Sequence, residues 1–346
     1  MSEIGVVGAG TWGMALARML CVSGHSVTVW SAHAATVDAL ASTRRHKNLP
    51  GMVIPDAVRF NKDLSEACRG RELILFAVPS VYVRETAGRA APYIRDGQIL
   101  VDAAKGIEAE TLMTMSEVIH DELAKRGAPS VPVVALSGPT HAEEVALDLP
   151  ATIVSACSSL HAAEVVQSVF MNTCMRVYTN EDVKGVELCG ALKNIIALAC
   201  GISTGLGYGD NARAALITRG LAEMERLGEK LGCRRETFAG LAGMGDVVVT
   251  ATSTHSRNNR CGQLIGQGVP PEEAVKQVGM VVEGIHAVPA AIQLADRYGV
   301  DMPIVRAVDA IVNHGAVPND IVRGLMGRAK KTEMLAPVST PGNVWP

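Results

Sequence analysis

The stretch Ile4-Gly5-Val6-Val7-Gly8-Ala9-Gly10-Thr11-Trp12-Gly13 decides how the chain begins to fold. A β-rich apolar run, Ile4–Gly8, leads into a glycine-rich turn, and an apolar helical pattern follows at Gly13–Val22. A second β-rich run, Ser26–Trp30, completes the unit. Strand, glycine turn, helix and strand in this order are typical of the first βαβ unit of a doubly wound α/β fold.

Strand-like runs and helical patterns keep alternating through the first half of the chain. The further strands are predicted at Leu73–Val78, Ile99–Asp102, Val131–Leu136, Thr152–Ala156 and Met175–Tyr178. Helices are predicted between strands, for example at Val83–Ala90 and Leu160–Phe170. Such alternation implies a mostly parallel sheet with right-handed crossovers. We therefore predict an α/β fold with an N-terminal Rossmann-type domain over residues 1–182.

The strand pattern stops after Asp182, and helical patterns replace it. These patterns lie at Val186–Cys200, Ala212–Leu231, Pro271–Val278, Val288–Tyr298 and Ile304–Asn313. Glycine-rich joints separate them at Gly201–Gly209 and Gly240–Gly245. We predict an all-α C-terminal domain over residues 183–335, which could support a homodimer. Residues 336–346 are small, polar and proline-containing, so a loose tail is expected there.

The composition of the 346-residue chain indicates a globular protein and excludes several functions. Apolar residues make up 48% and charged residues 19%, which supplies a core and argues against disorder. The net charge is −3 and aromatic residues make up only 3%, so nucleic-acid binding is not expected.

The cysteines and the apolar stretches bear on the compartment. None of the eight cysteines forms a Cys-x-x-Cys pair, which favours buried thiols over disulfides or a metal site. The start of the chain carries no basic, cleavable leader, and the apolar stretch Leu188–Leu206 is interrupted by Lys193 and Asn194. We expect a cytoplasmic protein without stable membrane insertion and without a bound metal.

The glycine turn has the spacing of a dinucleotide phosphate site. Gly8 allows the tight turn, Gly10 lets the backbone approach a pyrophosphate, and Gly13 permits close packing of the helix. Free N–H groups at the start of the helix would face the anion. A structural turn is the alternative, but the strand–turn–helix–strand context favours cofactor binding.

The end of the second strand bears on the choice of cofactor. Sites specific for NAD usually place a carboxylate there to hold the ribose hydroxyls. This chain has Trp30-Ser31-Ala32-His33, with neither a carboxylate nor an arginine. His33 could contact a 2′-phosphate, although an exposed loop histidine is the alternative. The cofactor is therefore NADP or NAD, with NADPH slightly favoured.

Lys193 is the strongest catalytic candidate, because it lies in an otherwise apolar helical run. A desolvated lysine can donate a proton near neutral pH, whereas the alternative is a lysine that extends its ammonium to water. Burying an ammonium requires compensation, and Asp246, between glycines and an apolar run, is the best-placed carboxylate. A cap for a helix or turn is the alternative for Asp246.

Polar residues elsewhere form a second group of candidates. Ser256, Arg257 and Asn258 stand at a predicted helix start and suit a phosphate clamp, or simply a capped helix. The segment Ser137–Glu143 and Lys105-Gly106 both follow strands, at the edge where α/β sheets bind ligands. Thr140 and Glu143 also have the spacing of a capping box, which would give the threonine a purely structural role.

With these residues in place, the chain from about Ile4 to Lys331 resembles bacterial-type NAD(P)-dependent glycerol-3-phosphate dehydrogenases. The motifs that carry the resemblance are GAGTWG, NLPG, FAVPS, KGIE, SGPTHAEE, GALKNIIALA, GDNARAALITRGLAEMERLG, GLAGMGD, SRNNR and VVEG. The resemblance implies reversible reduction of dihydroxyacetone phosphate to sn-glycerol 3-phosphate, which supplies glycerophospholipid synthesis. Family members often carry a basic residue just after the second strand, where only His33 stands here.

The resemblance also implies roles for individual residues. Lys193 would be the catalytic acid/base, with Asp246 beside it. The implied substrate contacts are Lys105, Gly138, Thr140, Asp246, Ser256, Arg257 and Asn258. The implied cofactor contacts are Thr11, Trp12, Lys105, Ala142, Arg257, Val281 and Glu283, in addition to Gly8, Gly10, Gly13 and His33 considered above.

Two other functions are compatible with parts of this pattern. A ketopantoate reductase or hydroxyacid dehydrogenase would keep the glycine turn and the helical lysine but would take a carboxylate-bearing substrate. A non-catalytic NAD(P)-sensing protein would keep the turn alone, since a sensor needs no proton donor. The Ser256–Asn258 cluster and the retention of Lys193 and Asp246 argue against these alternatives.

Overall fold

The N-terminal half forms one sheet in the computed structural model, which describes residues 1–330 and 332–333. Within these residues the strands are β1 Glu3–Val7, β2 Ser26–Trp30, β3 Arg59–Asn61, β4 Leu73–Phe76, β5 Ile99–Asp102, β6 Val133–Ser137, β7 Ala151–Ala156 and β8 Met175–Asn180. The sheet order is β3-β2-β1-β4-β5-β6-β7-β8, and all neighbours are parallel except β6 and β7. The first six strands thus follow the Rossmann order, and the predicted mostly parallel sheet is confirmed.

Helices cover both faces of the sheet. In the first half they are α1 Thr11–Val22, α2 Ala34–Thr43, α3 Ser65–Cys68, α4 Val83–Ala90, α5 Met115–Lys125, α6 Ala142–Val145 and α7 Leu160–Phe170. Two separate apolar clusters fill the space between sheet and helices. Because both faces are covered, the central strands β1, β4 and β6 are almost continuously buried.

The second half of the described chain is helical. Its helices are α8 Val183–Gly205, α9 Asp210–Lys230, α10 Arg235–Ala239, α11 Asp246–Thr252, α12 Arg257–Gly266, α13 Pro271–Val278, α14 Glu283–Tyr298, α15 Pro303–His314 and α16 Pro318–Met326. Helix α8 is the central element, and α9, α11, α12 and α14 pack around it. It is long and apolar enough to cross a membrane, but 94% of its most apolar window is buried inside the fold.

Glycines let α8 and α12 pack backbone to backbone. A Cβ atom on Gly201 or Gly205 would overlap the carbonyl of Asn259 or Gln263 on α12. Gly262 and Gly266 have the reciprocal relation to α8. This close packing fixes the start of α12, which carries Arg257 and Asn258, against the helix that carries Lys193.

Several predicted boundaries differ from the structure by one or two residues, and three larger differences each have a physical reason. Helix α8 does not end at Cys200 but continues to Gly205, because its glycines are packing positions against α12 rather than a joint. Helix α14 begins at Glu283, not Val288, and continues through Pro289, a residue more typical of a helix start. The predicted joint Gly240–Gly245 contains a π-helical turn, Leu241–Gly245, that leads directly into α11.

The short strand β3 and the predicted C-terminal tail stand apart from these differences. Strand β3 has only three residues and an exposed first position, so it carried too weak a pattern to be predicted. The predicted tail, residues 336–346, lies outside the described residues.

Candidate active site

The glycine turn forms an open cradle at the start of α1. Gly8 has φ +121°, and a Cβ there would lie 2.7 Å from the carbonyl oxygen of Ala77. A Cβ on Gly13 would overlap the carbonyl oxygen of Gly8. Gly10 is different, because it is exposed and a Cβ there would have no protein atom within 4 Å.

The structure therefore explains two glycines by packing and leaves the third facing open space. Gly10 is also the N-cap of α1 and provides no side-chain hydrogen bond to the first turn. A twelve-residue helix thus presents uncapped N–H groups to this space. These features fit the pyrophosphate of a dinucleotide.

Neighbouring segments from both halves of the chain border the cradle. The Nδ2 atom of Asn48 donates to Oγ1 of Thr11 at 3.2 Å and contacts the sulfur of Met280. Trp12 follows and is half-buried. Ala142 begins the short helix α6, which packs against α1. Thr11 and Trp12 therefore lie at the start of α1, and Ala142 begins a helix that packs against it.

His33 lies apart from this group. It follows β2, which is three strands away in the sheet from β5, the strand that precedes Lys105. His33 is exposed. Its backbone N–H donates to Ser31 Oγ at 3.3 Å, and its backbone caps α2 without a side-chain hydrogen bond. The imidazole faces solvent, so its role in cofactor choice stays a prediction.

The centre of the site is a buried carboxylate that two lysines share. Nζ of Lys193 lies 2.5 Å from Oδ1 of Asp246, and Nζ of Lys105 lies 2.6 Å from Oδ2. Asp246 is fully buried and the Lys193 side chain is only 7% exposed. The ammonium of Lys193 therefore does not extend to water, and Asp246, the first residue of α11, pairs with lysines instead of capping a helix.

Each lysine has one further partner. Lys193 Nζ donates to Oγ1 of Thr250 at 2.7 Å, and Lys105 Nζ donates to the carbonyl of Gly138 at 3.1 Å. The two lysines reach the same carboxylate because α8 lies close to the sheet edge. A Cβ on Gly190 of α8 would lie 3.4 Å from Cγ of Lys105. Gly190 is one helical turn before Lys193, so its missing side chain lets α8 approach the loop that follows β5.

The protonation of this centre is set by burial and mutual charge. Burial lowers the pKa of Lys193 to about 7, with Asp246 opposing the shift and Lys105 adding to it. Burial alone would raise the pKa of Asp246, but the ammonium groups of Lys105 and Lys193 hold it below its ordinary value. Asp246 therefore stays ionised while Lys193 can gain or lose a proton near neutral pH.

The predicted phosphate clamp is partly a packed polar network. The Ser256 hydroxyl accepts a hydrogen bond from the backbone N–H of Asn259 and so caps α12, which is the alternative role considered for it from the sequence. The amide of Asn258 is buried, where it donates to Asn194 Oδ1 at 2.9 Å and accepts from Gly284 N–H at 2.8 Å. Arg257 remains half-buried and bridges to the carbonyl of Val281 at 3.1 Å.

Glu283 connects the two halves of the chain. Its carboxylate accepts from the backbone N–H of Ser80 at 3.1 Å and from the Ser80 hydroxyl at 2.5 Å. Ser80 follows β4 at the same sheet edge as the glycine turn. Glu283 thereby holds the first turn of α14 against the cleft in which a cofactor would lie.

The capping-box alternative for Thr140 and Glu143 is not what the structure shows. Helix α6 begins at Ala142 after His141, and no side chain caps it. The Thr140 hydroxyl instead donates to the Gly138 carbonyl at 3.3 Å, the same oxygen that Lys105 contacts. This places Thr140 beside the lysine pair instead of in a structural cap.

Sequence reasoning missed Thr250 and the role of Asn194. Thr250 lies four residues after Asp246, on the same face of α11, and also donates to Oδ1 of Asp246 at 3.2 Å. The signal was this spacing, but Val247-Val248-Val249 resembles a strand and hid the helix. Asn194 is adjacent to Lys193 and orients Asn258, a pairing that spacing alone does not reveal.

A glycine-rich turn in a Rossmann sheet, together with a lysine buried against a carboxylate at the carboxyl edge of the same sheet, is the arrangement expected of a nicotinamide-dinucleotide-dependent dehydrogenase. Two family models match the chain. The one described as NAD-dependent glycerol-3-phosphate dehydrogenase N-terminus covers residues 3–178, and the corresponding C-terminus model covers residues 182–323. The chain belongs to the NAD-dependent glycerol-3-phosphate dehydrogenase family.

Individual proteins show the same relationship. Glycerol-3-phosphate dehydrogenase [NAD(P)+] 2 of Lactobacillus delbrueckii subsp. bulgaricus is 65% identical, over 96% of this chain and 99% of that protein. The crystal structure of glycerol-3-phosphate dehydrogenase from Coxiella burnetii has a TM-score of 0.90 at 37% identity, covering 94% of this chain and 99% of that one.

More distant structures share the fold alone. A ketopantoate reductase from Ralstonia eutropha has a TM-score of 0.58 at 18% identity, covering 92% of this chain and 99% of that one. The class that sequence reasoning named as the main alternative is therefore only a distant structural neighbour.

Proposed function

We propose that this chain catalyses the reversible NAD(P)H-dependent reduction of dihydroxyacetone phosphate to sn-glycerol 3-phosphate. The observation that carries the proposal is the buried Lys193–Asp246 pair, which Lys105 joins at the carboxyl edge of the sheet, in a chain of this family. The cofactor is NADP or NAD, with NADPH slightly favoured because no carboxylate follows β2 directly. When bound at the glycine turn, the dinucleotide supplies or accepts the hydride at C2 of the substrate.

Lys193 acts as the general acid in the direction of reduction. Its ammonium donates a proton to the oxygen at C2 as negative charge develops there, and its charge stabilises that oxygen. A pKa of about 7 suits this role, because the ammonium is populated at neutral pH and yet releases its proton readily. In the direction of oxidation the neutral amine accepts the hydroxyl proton.

Asp246 and Thr250 position the lysine. Each holds Nζ from the α11 side, and Asp246 keeps the ammonium form populated by opposing the effect of burial. Lys105 shares the carboxylate and extends this positive region to the sheet edge at Gly138 and Thr140. An excess of one positive charge over the buried carboxylate favours an anionic substrate.

The phosphate of the substrate is held at the start of α12. Arg257 supplies a bidentate donor there, and the first turn of a ten-residue helix supplies backbone N–H groups and a favourable dipole. Ser256 and Asn258 shape this end through the cap and the link to Asn194. Anchoring the phosphate fixes the carbonyl carbon in place for reduction.

The cofactor is assigned to the cleft between the glycine turn and the helical half. Its proposed contacts are Gly8, Gly10, Thr11, Trp12, Gly13, His33, Lys105, Ala142, Arg257, Val281 and Glu283. Asn48 contacts both Thr11 and Met280, and Ser80 contacts Glu283, so these two links between the halves support one continuous cleft.

Several coarser assignments accompany this function. We propose a domain boundary between residues 182 and 183, a cytoplasmic location, and a product that supplies glycerophospholipid synthesis. A homodimer is also proposed, and light scattering on the eluting peak of a sizing column measures it directly.

The decisive experiment measures oxidation of NADPH and of NADH, each with and without dihydroxyacetone phosphate. We expect oxidation that depends on the substrate and that is nearly lost with dihydroxyacetone, which lacks the phosphate. Ketopantoate serves as the alternative substrate. Oxidation with ketopantoate alone, or folded protein that binds NADPH without oxidising it, would overturn the proposal in favour of the reductase or the sensor.

A further inference from the structure

A charge pair lies at the end of β2 and β3, outside the contacts described so far. Lys62 directly follows β3, and its Nζ lies 2.7 Å from Oδ1 and 2.8 Å from Oδ2 of Asp38 on α2. Strands β2 and β3 run in parallel with Trp30 opposite Asn61. The indole N–H of Trp30 donates to the carbonyl of Lys62 at 3.0 Å, which fixes the lysine backbone beside the end of β2.

This is the end of the sheet where a dinucleotide-binding fold places the ribose of the adenosine. The residues that follow β2 here, Ser31-Ala32-His33, carry no carboxylate and no arginine. Asp38, one turn into α2, and Lys62, just after the neighbouring strand, form a pair of opposite charges in this region.

The nearby arginines have other contacts, and the guanidinium of Arg89 lies 5.0 Å over the ring of Trp30. The guanidinium of Arg44 donates to the carbonyl of Val58 at 2.8 Å and covers the ring of Phe60. Arg59, at the other end of β3, binds Ser26 Oγ and Glu3. Lys62, just after β3, has a single exposed carboxylate, Asp38, as its ion-pair partner.

We propose that the Asp38–Lys62 pair determines the preference between NADPH and NADH, an inference that rests on the proposed dehydrogenase function. The Lys62 ammonium holds the 2′-phosphate, and the Asp38 carboxylate opposes it by repulsion and by competing for the same ammonium. Both side chains are more than half exposed, so their mutual attraction is weak and a phosphate dianion can replace the carboxylate. With both charges present the protein accepts either cofactor.

The test measures binding of two fragments that cannot react, ADP-ribose and 2′-phospho-ADP-ribose, by calorimetry. Asp38→Asn should tighten binding of the 2′-phosphorylated fragment by about fivefold, and Lys62→Met should weaken it by a similar factor, with ADP-ribose nearly unchanged. The double variant should lose the part of the Asp38→Asn effect that comes from the freed ammonium and keep only the part that comes from relieved repulsion. Both effects should shrink at high salt.

Lys125→Met is the matched control, since Lys125 is also exposed and pairs with an aspartate, Asp121, but on α5. It should change neither affinity. Equal effects of Lys62→Met on both fragments, or discrimination that follows His33→Asn instead, would overturn the proposal. Tight binding of both fragments with no turnover would contradict the dehydrogenase function while leaving the charge-pair test intact.

Discussion

Lys193 and Asp246 form a buried ion pair that joins the central helix α8 to α11, with 2.5 Å between Nζ and Oδ1. Desolvating two charges costs several kcal/mol per ion, so such a pair adds little net stability. Removing one partner would leave an uncompensated buried charge, whereas replacing both residues with an apolar pair of similar volume would cost little stability. The pair is therefore best explained by chemistry at Nζ.

Lys193→Met should abolish most turnover while leaving cofactor binding nearly unchanged. Methionine fills a similar volume but donates no proton, so kcat should fall by about 10²–10⁴ fold. Stopped-flow measurement of NADPH oxidation and fluorescence titration of NADPH separate the two effects.

Lys184→Met provides the control on the same helix. Lys184 is half-buried, lies in the first turn of α8 and pairs with Glu117 at 3.0 Å. It should retain normal turnover. Nearly normal kcat for Lys193→Met would contradict the acid/base role.

The rate of reduction should fall as the pH rises above about 7. Lys193 must carry its proton to act as the acid, and its pKa is about 7, so kcat/KM for reduction should decline about tenfold per pH unit beyond that point. For oxidation of sn-glycerol 3-phosphate the neutral amine is the active form, so kcat/KM should rise with pH up to the same midpoint.

Asp246→Asn tests the effect of the carboxylate on the pKa of Lys193. The carboxylate raises the pKa of Lys193, so its removal should move the midpoint to lower pH. The variant also leaves two ammonium groups without their shared partner, and a loss of about 3–5 kcal/mol in unfolding free energy is expected. A midpoint that stays unchanged in folded Asp246→Asn would mean that another group controls the profile.

The fold was predictable where local patterns are strong. The boundaries of β2, β5, α4, α7 and α13 agree residue for residue with the sequence pattern, because alternation or helical periodicity is uninterrupted there. Glycine and proline misled the prediction elsewhere. Gly201 and Pro289 are typical helix breakers, yet tertiary packing keeps both inside helices.

The site was predictable in its residue types but not in its contacts. A lone lysine in an apolar run already indicates Lys193, since an uncompensated ammonium is costly to bury. The partner depends on how α8 meets α11, which no local pattern encodes. For the same reason the hydroxyl of Thr250 and the chain Asn194–Asn258–Gly284 were visible only once the helices had been packed.

Arg257→Met should raise KM for dihydroxyacetone phosphate by about tenfold or more and change kcat less. A charge-assisted hydrogen bond to phosphate contributes about 1.5–3 kcal/mol, and it is made in both ground state and transition state. Arg260→Met is the matched control, since Arg260 is exposed on the same helix. Steady-state kinetics check both, and equal KM values for the two variants would remove Arg257 from the phosphate site.

Gly10→Ala should weaken cofactor binding without affecting stability. The residue has φ −75°, which alanine adopts freely, and its Cβ would meet no protein atom within 4 Å. The added methyl group would occupy the space into which the pyrophosphate fits, so the Kd for NADPH should rise by about tenfold or more.

Gly13→Ala gives the contrasting result expected for a packing glycine. Its Cβ would overlap the carbonyl oxygen of Gly8, so the melting temperature should fall even without cofactor. Thermal unfolding and NADPH titration of both variants make the comparison. If Gly10→Ala binds NADPH as tightly as the unmodified chain, the open space above α1 is not the pyrophosphate site, and the cofactor would have to enter elsewhere along the sheet edge.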